Sequence, residues 1–259
     1  MNVQIHPTAI VHPDAQLSDN VTVGPFAFIG PHVKLGAGCV VEHHATVDGF
    51  TEMGEDNQIY PYAYIGAQTH DLKYKGGTCY LKIGARNIFR EYVTIHTATQ
   101  DGESTVIGND NYGLAFSHIG HNCVVKNNVI ISAQVAIGGH VVIGNHANIG
   151  GNSAIHQFCK VGDYAMLGGQ SFLKKDLPPF ILACGVPAYA RTFNRVGMTR
   201  KGFSEEERSF VKSVFKCMYE SNLNRSQALE IIMRETGKFK PIADMFINFI
   251  KESKIRGCV

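Results

Sequence analysis

Aliphatic residues recur at every sixth position along the first two thirds of the chain. Starting at Ile5, the series runs Val11, Leu17, Val23, Ile29, Leu35, Val41, Val47, Met53, Ile59 and Ile65. It resumes at Ile83, Phe89 and Ile95, then from Ile107, and ends at Leu173. Of the 29 positions in this phase, only Asp71, Gly77, Asp101 and Gly113 are not apolar. A period of six matches neither the 3.6-residue turn of a helix nor a simple two-residue alternation. It fits short strands separated by turns, each sending one aliphatic side chain inward. Three such strands close an 18-residue triangular coil, and successive coils stack at about the 4.8 Å spacing of neighbouring strands. The pattern predicts a hexapeptide-repeat parallel β-helix, mainly β in class, over residues 1–187.

Three of the four breaks fall in two polar stretches, near 67–82 and 97–105, which read as loops thrown out from a coil with the phase kept. Loops on a rigid scaffold often carry function. Beyond Leu173 the period changes. Asp176-Leu177-Pro178-Pro179 and Gly185-Val186-Pro187 are breakers. Ser204 to Glu207 form a capping box ahead of Phe210, Val211, Val214, Phe215, Met218 and Tyr219 at helical spacing. Further helices are expected from Ser226 and from Pro241, so residues 188–259 read as a C-terminal α-helical domain.

Composition removes several classes. Hydrophobic residues are 44% and charged residues 18%, which suits a packed core rather than disorder. No run approaches the ~18 apolar residues of a spanning helix. The N-terminus lacks a charged stretch leading into an apolar one, so no secretory leader is expected. Seven Cys without a C-x-x-C pair suggest reduced thiols and a cytoplasmic location. Residues 188–259 hold 14 Lys and Arg against 8 Asp and Glu, a balance of +6, while the remainder holds 10 against 14, or −4. The basic segment suits an acidic partner. Nucleic acid is disfavoured, because no stretch interleaves basic clusters with stacking aromatics.

Twelve histidines stand out. His6, His12, His96 and His156 sit one place after the inward aliphatic and read as turn residues without chemistry. His118 and His121 lie in Ser117-His118-Ile119-Gly120-His121-Asn122-Cys123. His140 follows Gly138-Gly139, and His146 lies six residues on. Such a His-Gly wall suits either zinc ligation, as in hexapeptide-repeat carbonic anhydrases, or general-base catalysis of acyl transfer. Spacing alone leaves both open, beside a non-catalytic scaffold.

Particular motifs go further: Asp71-Leu72-Lys73-Tyr74, Val93-Thr94-Ile95-His96, His118-Ile119-Gly120-His121, Gly139-His140, Ile155-His156-Gln157-Phe158, Asp176-Leu177-Pro178-Pro179 and Arg200-Lys201-Gly202-Phe203. On these the chain resembles the acyl-carrier-protein-dependent UDP-N-acetylglucosamine O-acyltransferase family, which opens lipid A synthesis. The resemblance implies a left-handed coil and a homotrimer with active sites between subunits. It implies transfer of a 3-hydroxyacyl chain from acyl carrier protein to the glucosamine 3-hydroxyl. His121 then matches the general base, and the Gly139 N–H the oxyanion donor. Asp71 and Lys73 match sugar and phosphate contacts. His118 and His140 match substrate-side contacts, and Gln157, Asn194 and Arg200 nucleotide contacts. Gly169 matches the end of the acyl groove. No metal or cofactor is implied. The basic tail, with Arg200, Lys201, Lys212 and Lys216, would receive the carrier. Four positions depart from the family pattern. Asn122 stands for an expected Asp, His70 for Gln, Val196 for Glu and Pro187 for His. The departures leave an acceptor with a 3-amine in place of the 3-hydroxyl as an alternative.

Overall fold

A computed structural model describes residues 2–259. Short strands, most of them two residues long, alternate with turns and stack into three parallel sheets of eleven, nine and eight strands. Within the coil each sheet takes every third strand, so the body is a three-sided prism, and only the far end of the eleven-stranded sheet adds an antiparallel pair. The six-residue period is the cause. The second residue of each two-residue strand points inward, and from Val23 to Leu173 every apolar member of the series is buried. Each buried aliphatic side chain is worth ~1.5–3 kcal/mol relative to exposure. Ile5 is 47% exposed and Val11 and Leu17 are half-buried, because among the described residues no coil packs below the first.

The breaks in the series have two physical causes. Gly113 lies in a strand, paired with Phe89 of the coil below. A Cβ on Gly113 would stand 3.2 Å from the Phe89 ring, so the large side chain on one coil is matched by none on the next. The other three breaks belong to loops whose lengths preserve the phase. Ile65 pairs with Ile95, 30 residues on, and Ile95 with Ile119, 24 residues on. These are 18 plus 12 and 18 plus 6, so each insert is a whole number of hexapeptides.

Both loops are shorter than the sequence suggested. The first spans 68–79, because Tyr80–Ile83 forms a four-residue strand beside Phe50–Met53 with Leu81 and Ile83 buried. The second spans 97–103, because Ser104–Ile107 is a strand on the other side of Tyr80–Ile83. The two loops brace each other. Thr69 and Thr99 share a buried hydroxyl–hydroxyl bond of 3.0 Å, and the Thr78 N–H donates to Asp101 Oδ1 at 2.7 Å.

The C-terminal boundary also shifts. Gly185-Val186-Pro187 is part of a hairpin turn rather than the end of the sheet, since Ile181–Gly185 pairs antiparallel with Ala188–Phe193. Helices follow at Arg195–Arg200, Glu205–Phe215, Arg225–Arg234 and Lys240–Glu252. The capping box at Ser204 is present, and Asn224 with Gln227 forms a second one. Phe180, at the top of the coil, stacks against Tyr164 and packs on Phe203 and Phe246, so coil and helices share one core.

Candidate active site

The mutually braced loops set the first one against the sheet formed by Tyr64–Ala67, Thr94–His96, His118–Ile119, Ala136–Ile137 and Ala154–Ile155. Between loop and sheet lies an open cavity of about 700 Å³. Its lining brings together Asp71, Lys73, His118, His121, Gly139 and Gln157, six of the residues singled out in the sequence.

His121 occupies a corner turn, and its ring is 13% exposed. Nδ1 lies 2.9 Å from Asn122 Oδ1, and Nε2 faces the cavity, 3.7 Å from Asp71 Oδ2. That distance is too long for a direct hydrogen bond. Asp71 is held by its own loop: its N–H donates to Thr69 Oγ1, and its Oδ1 accepts the Lys73 N–H at 3.0 Å. Gly139 sits directly above the imidazole. A Cβ there would fall 2.3 Å from His121 Nε2, so only glycine lets backbone and base approach this closely. The Gly139 N–H meets no acceptor among the described residues. His140 packs edge-on to His121 at 5.1 Å and stacks on Phe158 at 4.6 Å.

His96 departs from the turn position that its slot in the repeat predicts. It ends a strand rather than sitting in a turn, is 2% exposed, and packs against His70 at 4.1 Å and His118 at 4.7 Å. The loop that follows replaces the usual corner, which carries His96 inward. His156, also read as a turn residue, lines the same cavity. His118 Nδ1 is fixed 2.8 Å from Thr94 Oγ1 on the neighbouring coil. Burial, reinforced by neighbouring imidazoles, pushes His118 below the usual histidine range and His96 down to about 3. His96 therefore stays neutral in the fold where the unfolded chain would take a proton. Folding stability should fall as pH drops from about 6.5 towards 3, since the unfolded state binds more protons there. Urea midpoints at pH 7 and pH 5 should separate less in a His96→Asn variant than in the wild type.

Asn194 and Arg200 lie elsewhere. They line a second cavity of about 680 Å³ on the eleven-stranded sheet, with His146, Tyr164, Met166, Leu182 and Lys201. Asn194 is 5% exposed, and its amide is already engaged. Oδ1 caps the Arg195–Arg200 helix through the Gly197 N–H, while Nδ2 donates to the Tyr164 carbonyl. Gly169 lies at an exposed corner beside Gly151, outside the lining of either cavity.

Among the described residues no three His, Cys, Asp or Glu side chains are grouped to hold a metal ion, so the zinc reading finds no ligand set. Among the described residues no helix is long and apolar enough to cross a membrane. A three-sided coil bearing a histidine against a bare glycine backbone, with a braced loop over both, places the chain among the hexapeptide-repeat β-helix proteins.

Comparison with known proteins narrows that class. Residues 14–49 match the bacterial transferase hexapeptide (six repeats) family, and residues 176–259 match the second domain of UDP-N-acetylglucosamine O-acyltransferase. The acyl-(acyl-carrier-protein)–UDP-N-acetylglucosamine O-acyltransferase of Saccharophagus degradans is 44% identical over 227 residues, covering 87% of this chain and 88% of that protein. Crystal structures of UDP-N-acetylglucosamine O-acyltransferase from Moraxella catarrhalis and of its counterpart from Acinetobacter baumannii superpose with a TM-score of 0.94 each. They are 39% and 41% identical, and each comparison covers 98% of this chain and 99% of the other. The chain belongs to the acyl-(acyl-carrier-protein)–UDP-N-acetylglucosamine O-acyltransferase family, and its coil is the left-handed parallel β-helix of those structures.

Proposed function

We propose that this enzyme moves a 3-hydroxyacyl chain from the phosphopantetheine thioester of acyl carrier protein to the 3-hydroxyl of UDP-N-acetylglucosamine, as the cytoplasmic first step of lipid A synthesis. The observation that carries the reading is the pairing of His121 Nε2 with the Gly139 backbone in a cavity capped by Asp71 and Lys73. His121 takes the proton from the sugar hydroxyl as its oxygen attacks the thioester carbon. The Gly139 N–H donates to the oxygen that gains charge. The carbon–sulfur bond then breaks, and the imidazolium returns its proton to the departing thiolate. Asp71 and Lys73 hold the sugar and its phosphates. His118, His140 and Gln157 contact the substrates from the wall, and Gly169 ends the acyl groove. The basic C-terminal segment receives the acidic carrier.

Asn194 and Arg200 serve the nucleotide, Asn194 by capping the short helix that ends at Arg200. Their cavity and that of His121 lie on different faces of one chain. One chain alone therefore does not join them, and we propose a trimer in which one copy's Arg200 face meets the next copy's His121 face. Two surface features support this. Leu72, beside Asp71 in the first loop, is 96% exposed. Along the edge between the two faces, Phe26, His44, Tyr62, Tyr92 and Phe116 stack at 4.7–5.1 Å, largely exposed.

The test co-expresses His121→Ala and Arg200→Ala subunits under separate tags and analyses products by mass spectrometry. Each variant alone should be feeble. Mixed trimers should regain up to about one complete site in three, a count set by the three-fold symmetry. No recovery would dismiss the shared site. No acylated UDP-N-acetylglucosamine from the wild type, with product only from the 3-amino sugar, would reassign the acceptor.

A further inference from the structure

Asn122 stands next to the base and carries no charge, yet its amide is held from three sides. Oδ1 lies 2.9 Å from His121 Nδ1 and accepts the Thr99 N–H at 3.1 Å. Nδ2 donates to Glu103 Oε2 at 2.5 Å. The Asn122 backbone N–H is fixed in turn on Thr105 Oγ1 at 2.8 Å. Glu103 ends the second loop, and its carbonyl accepts the Tyr80 N–H at 2.9 Å, which ties it to the core of the coil.

We propose that Glu103 is a positioning residue for the general base, acting through the Asn122 amide to set the protonation pattern of His121 and to supply the negative charge that Asn122 lacks. The proposal rests on His121 being the base.

The argument begins with what each partner can do. A backbone N–H only donates, and a carboxylate only accepts. Thr99 and Glu103 therefore leave the Asn122 amide a single orientation, with oxygen towards His121. Nδ1 must then carry the proton, which leaves the lone pair on Nε2, the nitrogen facing the cavity and Gly139. That is the tautomer a general base needs. When His121 takes the substrate proton, a positive charge develops beside Oδ1. Glu103, pulling on the other end of the amide, strengthens Oδ1 as an acceptor.

Other charged and titratable groups also surround the ring. Asp71 and Lys73 come from the first loop, His96 and His118 from the sheet with His70 beside them, and His140 from the next corner. Asp71 and Glu103 are the anions of this group. Asp71 faces Nε2, where the acceptor must enter, whereas Glu103 acts from the Nδ1 side and need not move during the reaction.

Glu103→Gln tests the charge alone, because the glutamine carbonyl can still accept from Asn122 Nδ2. Glu103 is exposed, so its field is screened, and kcat should fall by about twofold to tenfold. Removing the anion disfavours the imidazolium, so the acid limb of kcat/KM should move to lower pH, with UDP-sugar affinity unchanged. Asn122→Asp alone sets two carboxylates against each other, a like-charge contact that loosens the hold on His121, and should also be slow. The double variant Asn122→Asp/Glu103→Gln exchanges amide and acid: the introduced glutamine donates, while the introduced aspartate accepts from His121 and Thr99. Its kcat should exceed that of either single variant, a recovery that a merely structural role would not produce. A Glu103→Gln enzyme with the wild-type kcat and pH profile, or a double variant no better than the singles, would overturn the proposal. If His121→Ala were still crippled, the base itself would stand. An active His121→Ala enzyme would instead remove the base, and this inference with it.

Discussion

Replacing His121 with alanine should lower kcat by about 10²- to 10⁴-fold, the usual worth of a positioned general base. The sugar 3-hydroxyl is a poor nucleophile while it keeps its proton, and His121 Nε2 faces the cavity proposed to receive it. The change should spare the fold. The His121 carbonyl that accepts the His140 N–H belongs to the backbone, and the ring is a wall of the cavity rather than part of the coil interior. Binding should survive as well, because Asp71 and Lys73 are held by Thr69, Thr99 and their own loop, not by His121. The measurements are steady-state kcat with an acyl carrier protein thioester and calorimetric affinity for UDP-N-acetylglucosamine. A variant with near-normal kcat would end the base assignment. Loss of nucleotide binding in parallel would mean that the histidine holds the substrate rather than its proton.

The period of six made the coil legible because each hexapeptide presents one inward residue whatever the turns contain. Even the exceptions obey that geometry. Gly113 answers the bulk of Phe89, and the loops add 12 and 6 residues, so Ile95 and Ile119 return in phase. The strand Tyr80–Ile83 was hidden because it runs four residues rather than two, and its outward Tyr80 and Lys82 read as loop. The Arg195–Arg200 helix is too short to display a helical period, and the hairpin before it hides behind a Gly-Val-Pro turn. Of the site, the pattern showed histidines on a wall but not which of them meet. His121, Asp71 and Gly139 were assigned through resemblance to a family, and the structure gathers them around one cavity. His96 was missed because its slot after an inward aliphatic is ordinarily a corner, and here a loop replaces the corner. The Asn122–Glu103 contact joins residues 19 apart on neighbouring coils, a relation no local pattern carries.

A methyl group added at Gly139 should disable the enzyme almost as thoroughly as loss of the base, by about 10²- to 10³-fold in kcat. The Cβ of Gly139→Ala would fall 2.3 Å from His121 Nε2, 2.5 Å from Cε1 and 2.9 Å from Cδ2, so it meets the reacting edge of the ring. Something must yield. The backbone is pinned, since the Gly139 carbonyl accepts the Phe158 N–H at 3.1 Å and the His140 N–H donates to the His121 carbonyl at 2.9 Å. The imidazole is the softer element. Turning it away breaks the 2.9 Å contact of Nδ1 with Asn122 and swings Nε2 from the cavity. Alanine keeps the backbone N–H, so the oxyanion donor remains while the base is displaced. Crowding of this kind costs about 1–3 kcal/mol of stability, which thermal unfolding would register. Because the damage passes through His121, the two changes should not add. In a His121→Ala background, where the ring is gone, Gly139→Ala should lower kcat by no more than about threefold further, as expected for residues acting as one unit. Full additivity in that double variant would mean that the added methyl harms the reaction where the thioester lies and not by displacing the base. A Gly139→Ala enzyme with ordinary kcat would show that the imidazole works from a position clear of this backbone.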